Sequence, residues 1–87
     1  MNDDEPYVDA IGTKHWFQNG IRHRTDGPSV EETDGSTYWH QNGKLHRLDG
    51  PAIDRPSDGI KGWYIDGVLY TEDAFWLAAF LYKGNSI

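Results

Sequence analysis

The chain alternates short aromatic-and-polar stretches with small turn signals, and the pattern recurs. His15-Trp16-Phe17-Gln18-Asn19-Gly20 returns as Tyr38-Trp39-His40-Gln41-Asn42-Gly43, and in worn form as Trp63-Tyr64-Ile65-Asp66-Gly67. Trp16 and Trp39 stand 23 apart, as do Gly20/Gly43, His23/His46, Asp26/Asp49 and Pro28/Pro51; Trp39 and Trp63 stand 24 apart. A period of this size means one supersecondary unit per repeat. Asn19-Gly20, Asn42-Gly43 and Asp66-Gly67 are tight-turn signals, because Asn, Asp and Gly tolerate positive φ. Asp34-Gly35 and Asp58-Gly59 mark the alternate turns, and Pro28 and Pro51 sit at strand starts, where a missing N–H is tolerated. The spacing predicts strands at 6–11, 13–18, 21–24, 28–33, 36–41, 44–47, 51–54, 60–65 and 68–70. Pro6-Tyr7-Val8 lines up with Pro28-Ser29-Val30 as the start of the first unit.

After Tyr70 the period changes. Thr71 is an N-cap, Glu72 and Asp73 suit the first turn, and Lys83-Gly84 supplies a last-turn cation and a stop. Ala74 to Tyr82 between them is apolar nearly all round, more than one small sheet can cover. The expected fold is mainly β: an antiparallel meander of about three hairpin repeats with one C-terminal helix, in one domain. Residues 1–5 read as a flexible acidic N-terminus, 6–70 as the repeat sheet, 71–83 as the helix and 84–87 as a tail. Trp16, Trp39 and Trp63 are expected to be largely buried on one face.

Size and composition narrow the function. At 87 residues without cysteine, no disulfide or thiolate zinc site braces the fold, so an aromatic core must. No apolar run is long enough for a membrane span and the N-terminus is acidic, which favours a soluble, cytoplasmic protein with no membrane partner. A net charge of −6 argues against direct nucleic-acid binding and favours a basic or nucleic-acid-binding protein partner.

No nucleophile elbow, phosphate loop or zinc-protease motif is present, so the chain reads as no enzyme, with no cofactor and no metal. His23 and His46 recur with the unit and are better explained as part of it, each ring packing on a Trp while a nitrogen bonds a turn carbonyl. Arg24 with Asp26, and Arg47 with Asp49, read as turn-fixing ion pairs. Glu31 and Glu32 point to opposite faces of one strand. Residues that break the repeat are freer to carry function. Among them Asp9, Glu31, Glu32, Asp34, Asp54 and Asp58 gather near the turns at one edge as an acidic partner-binding rim. Arg22, Arg24, Lys44 and Arg47 fall toward the other edge. On the helix, Phe75, Trp76, Ala79, Phe80 and Tyr82 form a self-association surface, which predicts a homodimer.

The string from Tyr38 to Ile53, with Trp39, Asn42-Gly43-Lys44, His46-Arg47 and Asp49-Gly50-Pro51, resembles a short tandem repeat of small proteins from tailed phages and giant DNA viruses. It is also similar to the MORN repeat. The resemblance covers residues 6–70 and departs from MORN where Arg24-Thr25-Asp26-Gly27-Pro28 replaces the usual Gly-x-Gly. It implies a hairpin sheet acting as an interaction platform. For a small acidic phage-type protein, it implies an inhibitor of a host defence protein, of the anti-CRISPR or anti-restriction class, acting in the host cytoplasm by surface occupation or nucleic-acid mimicry. A structural or assembly protein, and a glycan- or lipid-binding module, are the alternatives.

Overall fold

A computed structural model describes residues 5–84; most of the expected N-terminal arm and the C-terminal tail lie outside the described residues. The strands are β1 (Tyr7–Val8), β2 (Lys14–His15), β3 (Phe17–Gln18), β4 (Ile21–Arg22), β5 (Val30–Glu31), β6 (Thr37–Tyr38), β7 (His40–Gln41), β8 (Lys44–Leu45), β9 (Ile53–Arg55), β10 (Ile60–Ile65) and β11 (Val68–Tyr70). Helix α1 (Glu72–Tyr82) follows. All strand pairs are antiparallel. The expected meander with one C-terminal helix is the observed architecture.

The strands are shorter than the sequence suggests, and the reason is local. Each unit has one long strand that runs through its Trp, so β2 and β3 are halves of one strand through Trp16. The return strand alongside it is broken. β4 lies against β3, the chain then bulges out through Arg24–Pro28, and β5 resumes against β2. Trp16 faces the break, donating its N–H to Ser29 O at 2.8 Å and accepting from His23 N–H at 3.2 Å. The second unit repeats this with β6–β9 around Trp39. Seven strands run in the order β1-β2-β5-β6-β9-β10-β11. The hairpins β3/β4 and β7/β8 continue that sheet through Arg24 N–H to His40 O, Gly43 N–H to Arg22 O, Arg47 N–H to Tyr64 O and Gly67 N–H to Leu45 O. The result is a thin plate, 46 × 31 × 16 Å.

Turn chemistry sets the register. The three hairpin tips carry φ of 53° and 79° (Asn19, Gly20), 53° and 81° (Asn42, Gly43), and 49° and 81° (Asp66, Gly67). Two successive positive φ values belong to the hairpin turn whose twist matches the strands. At the opposite end, Asp9 Oδ1 accepts from the N–H of Ile11 and Thr13, and Asp34 Oδ1 accepts from Ser36 N–H. One alignment needs correction. The ladder sets Tyr7 opposite His15 as it sets Val30 opposite Tyr38. Tyr7 therefore matches Val30, not Ser29, and the shared Pro-x-Val string misled by one residue.

The expected all-aromatic core is also corrected. Trp16 is buried, but Trp39 and Trp63 are half-buried. A guanidinium covers each of the first two: Arg24 Cζ stands 3.8 Å from the Trp16 ring centre and Arg47 Cζ 4.0 Å from that of Trp39. Arg24 Nε bonds Asp26 and its Nη1 donates to Pro28 O; Arg47 does the same with Asp49 and Pro51 O. The ion pairs read from the sequence exist, but they serve to pin a cation over a ring. The third unit has Thr71 where an arginine would stand, and α1 covers Trp63 instead. The hydrophobic cluster proper is Ile65, Phe75 and Ala79, flanked by Leu48, Trp63, Tyr70 and Ala78. Thr71 caps α1 as expected, its Oγ1 accepting from Ala74 N–H.

Candidate functional site

The acidic residues do collect at one end of the plate. Asp9, Glu32, Asp34 and Asp58 lie in or beside the turns that join β1 to β2, β5 to β6 and β9 to β10. Glu31 and Asp54 lie just inside, on strands. Most are engaged within the chain. Asp9 Oδ2 is 3.0 Å from His15 Nε2, and Asp58 pairs with Arg55. Glu31 accepts from Arg24 at 3.4 Å and Glu32 from the Tyr38 hydroxyl at 3.2 Å, on opposite faces as alternation requires. Asp54 stands directly across from Lys61. The imidazole beside Asp9, and the Ser36 backbone amide bonded to Asp34, hold both carboxyls below their usual range. The rim is thus a set of turn-forming acids whose field is partly balanced locally.

The basic residues expected opposite do not stay together. Arg24 and Arg47 sit over the tryptophans in the middle of one face, because the bulge folds them back. Arg22 lies on the other face, 5.8 Å from the Phe17 ring centre and 3.3 Å from His15 Nδ1. Arginine can only donate, so His15 Nδ1 accepts and its Nε2–H points at Asp9.

The repeat histidines hold units together. His23 Nδ1 accepts from Asn42 N–H at 3.0 Å and His46 Nδ1 from Asp66 N–H at 3.1 Å. Each ring therefore locks the hairpin turn of the following unit, through an amide rather than the expected carbonyl. His46 Nδ1 also lies 3.2 Å from Asp66 Oδ1, but a nitrogen that accepts from an amide has no proton to share there. Among the described residues no three His, Cys, Asp or Glu side chains come together as a metal site.

Sequence reasoning missed the Ser29–His40 pair. Ser29 is wholly buried, and its Oγ lies 2.6 Å from His40 Nδ1 and 3.0 Å from Tyr38 O. With no exposure, this hydroxyl meets no substrate and serves to tie β5 to β6 and β7. Burial, with the Arg22 charge second, pushes His40 below its ordinary 6.5. A lowered folded pKa means the unfolded chain takes the proton first. The stabilisation is therefore complete above pH ~6.5 and declines as pH falls toward the folded value. The melting temperature should drop between neutral pH and pH ~5.5, with a shallower slope in His40→Asn. An identical slope in that variant rejects His40 as the group responsible.

The helix surface divides differently from the expectation. Phe75 and Ala79 are buried inside the chain's own core, so they cannot belong to a self-association surface. Trp76, Phe80 and Tyr82 remain at the surface, joined by Leu77 and Leu81; these five are 41–52% exposed. Successive residues are ~100° apart, and the sheet takes the Phe75–Ala79 stripe with part of Ala78, while Tyr82 rests against the His46 ring and Trp76 against Trp63. The sequence shows that the helix carries more apolar surface than one small sheet can cover, but not which stripe meets the sheet. Neither protein-family models, nor curated proteins, nor solved structures give a match to this chain. No helix among the described residues is long and apolar enough to cross a membrane.

Proposed function

We propose that this chain is a non-enzymatic protein-binding module that docks through the outer face of α1. The observation that carries it is the apolar surface of Trp76, Leu77, Phe80 and Leu81, each 41–52% exposed on a helix already anchored by Phe75 and Ala79. Contiguous exposed apolar surface of this kind marks interaction sites. The net charge of −6 and the acidic turn end favour a partner with a basic surface, and a nucleic-acid-binding protein has one. The helix supplies contact area, and the acids steer the approach. Together with the phage-type resemblance, this supports an inhibitor of a host defence protein that occupies a nucleic-acid-binding surface.

The test is a comparison of the wild type with two variants on the bacterial defence nucleases, assayed for binding and for DNA cleavage. Leu77→Glu with Leu81→Glu should abolish binding while leaving the melt within a few degrees, because surface changes cost about 0.5 kcal/mol or less. Glu31→Lys with Glu32→Lys should slow association and flatten its salt dependence, with little change in dissociation. Binding that survives the helix variant unchanged rejects the helix as the docking face.

A further inference from the structure

The two ends of the sheet carry complementary half-strands. Inside the plate, every gap between successive long strands is filled by two pieces. A hairpin return, β4 or β8, lies against the hairpin half, and a post-bulge piece, β5 or β9, lies against the turn half. The first and last gaps hold one piece each. On the N-terminal side, β1 is a post-bulge piece alone: Tyr7 and Val8 face His15 and Lys14 on the ladder rows that hold Val30 and Glu31. Among the described residues no strand lies beside the outer edge of β3. On the C-terminal side, β11 is a hairpin return alone, pairing with Trp63–Ile65. No described strand lies beside the outer edge of Ile60–Gly62 in β10.

From these matching vacancies we infer that a second copy of this chain adds head to tail. Its β1 fills the slot beside Ile60–Gly62, while β11 of the first copy fills the slot beside β3 of the second. The joint is one more broken return strand, built half from each copy. It repeats bonds the fold already makes twice. Thr71 N–H meets Phe17 O of the second copy as Arg24 N–H meets His40 O and Arg47 N–H meets Tyr64 O. Gly20 N–H of the second copy meets Leu69 O as Gly43 N–H meets Arg22 O and Gly67 N–H meets Leu45 O.

Two observations favour this occupant, and a third tells how to strengthen it. Both edges carry exposed apolar side chains, Tyr7 at 63%, Val8 at 52% and Leu69 at 62%. Helix α1 does not obstruct the slot: it runs back over the plate, with Trp76 on Trp63 and Tyr82 on the His46 ring. On the row through Val8 the register brings that residue opposite Lys61 of the first copy, where inside the sheet Asp54 stands opposite Lys61. Pairing by added strands is a common recognition mode, and a head-to-tail contact that does not close grows without a fixed size.

Light scattering and sedimentation from micromolar to millimolar concentration test this. The wild type should grow continuously past the dimer. Leu69→Pro should return it to monomer without melting it. Beside the two-residue turn Ile65 pairs with Val68, so the next pair, Tyr64 with Leu69, exchanges no bonds and the Leu69 amide faces outward; proline there costs the chain no bond of its own, and its ring stands where β3 of the second copy must pack. Val8→Glu should lower the concentration for half assembly several-fold, by placing a carboxylate between Lys14 and Lys61 of the neighbouring copy, and Leu77→Glu with Leu81→Glu should leave growth unchanged. A wild type that stays monomeric, or stops at a dimer that the helix variant dissolves, overturns the inference. Should Leu69→Pro fail to fold, a Val8→Glu chain that assembles no better than wild type overturns it equally.

Discussion

Phe75→Ala is expected to destabilise the fold by about 3–5 kcal/mol, the range for truncating a core aromatic. Phe75 has no exposed surface, and its ring centre lies 5.1 Å from that of Trp63 and 5.0 Å from that of Trp76. It is the centre of the small hydrophobic cluster and the main anchor of α1 to β10. For a domain of this size 1 kcal/mol moves the melting temperature by about 4–8 °C, so a loss of at least about 12 °C should appear in a thermal scan. The whole stability of such a domain is about 5–15 kcal/mol, and the variant stands near the edge of folding. Phe80→Ala, five residues on and 41% exposed, should cost less than half as much. Equal losses from the two would mean that α1 presents a different stripe to the sheet.

The fold was legible where local chemistry decides it. Asn19-Gly20, Asn42-Gly43 and Asp66-Gly67 demand positive φ, and the structure gives all three the same turn. Thr71, with Glu72 and Asp73 behind it, starts a helix wherever the chain goes next. The acidic end followed from counting turns, since every second turn of a meander lies at the same end. What was not legible required knowing how pieces meet in space. Arg24–Pro28 reads as a strand break, but nothing in its own composition says that it folds back to set a guanidinium on Trp16. The one-residue slip at Tyr7 has the same origin, because proline is a local marker and the register belongs to the ladder. His15, Arg24 and Arg55 partly balance the acidic rim from six, seven and three residues away; those pairings depend on how strand, turn and bulge fold back, so sequence spacing showed the acids and not their partners.

The guanidinium-on-indole pairs are the repeat's substitute for a second layer, and Arg47→Ala measures one. Arg47 is held at three points: Asp49 Oδ1 at 2.8 Å, Pro51 O at 3.2 Å and the Trp39 ring at 4.0 Å. Gly50 leaves room for it, since a Cβ there would stand 2.8 Å from Arg47 Cζ. Removing the side chain leaves the Pro51 carbonyl without its charged donor, worth about 1.5–3 kcal/mol. It also strips a cation from a half-buried indole, worth about 0.5–2 kcal/mol. The Asp49 pair adds little, because its carboxylate is exposed and such pairs contribute about 0–1 kcal/mol. The terms overlap, and Arg47→Ala should cost about 2–3 kcal/mol. Arg47→Lys should recover less than half, because a point ammonium cannot lie flat on the ring and donate in two directions. A double-mutant cycle with Trp39→Leu should give a coupling of about 1–2 kcal/mol. The same cycle on Arg24 and Trp16 should agree, since the stacking distance there is the same to 0.2 Å. If Arg47→Ala melts within about 0.5 kcal/mol of wild type, the stacked arginines are ornaments of the bulge and the sheet is held by its backbone and by α1 alone.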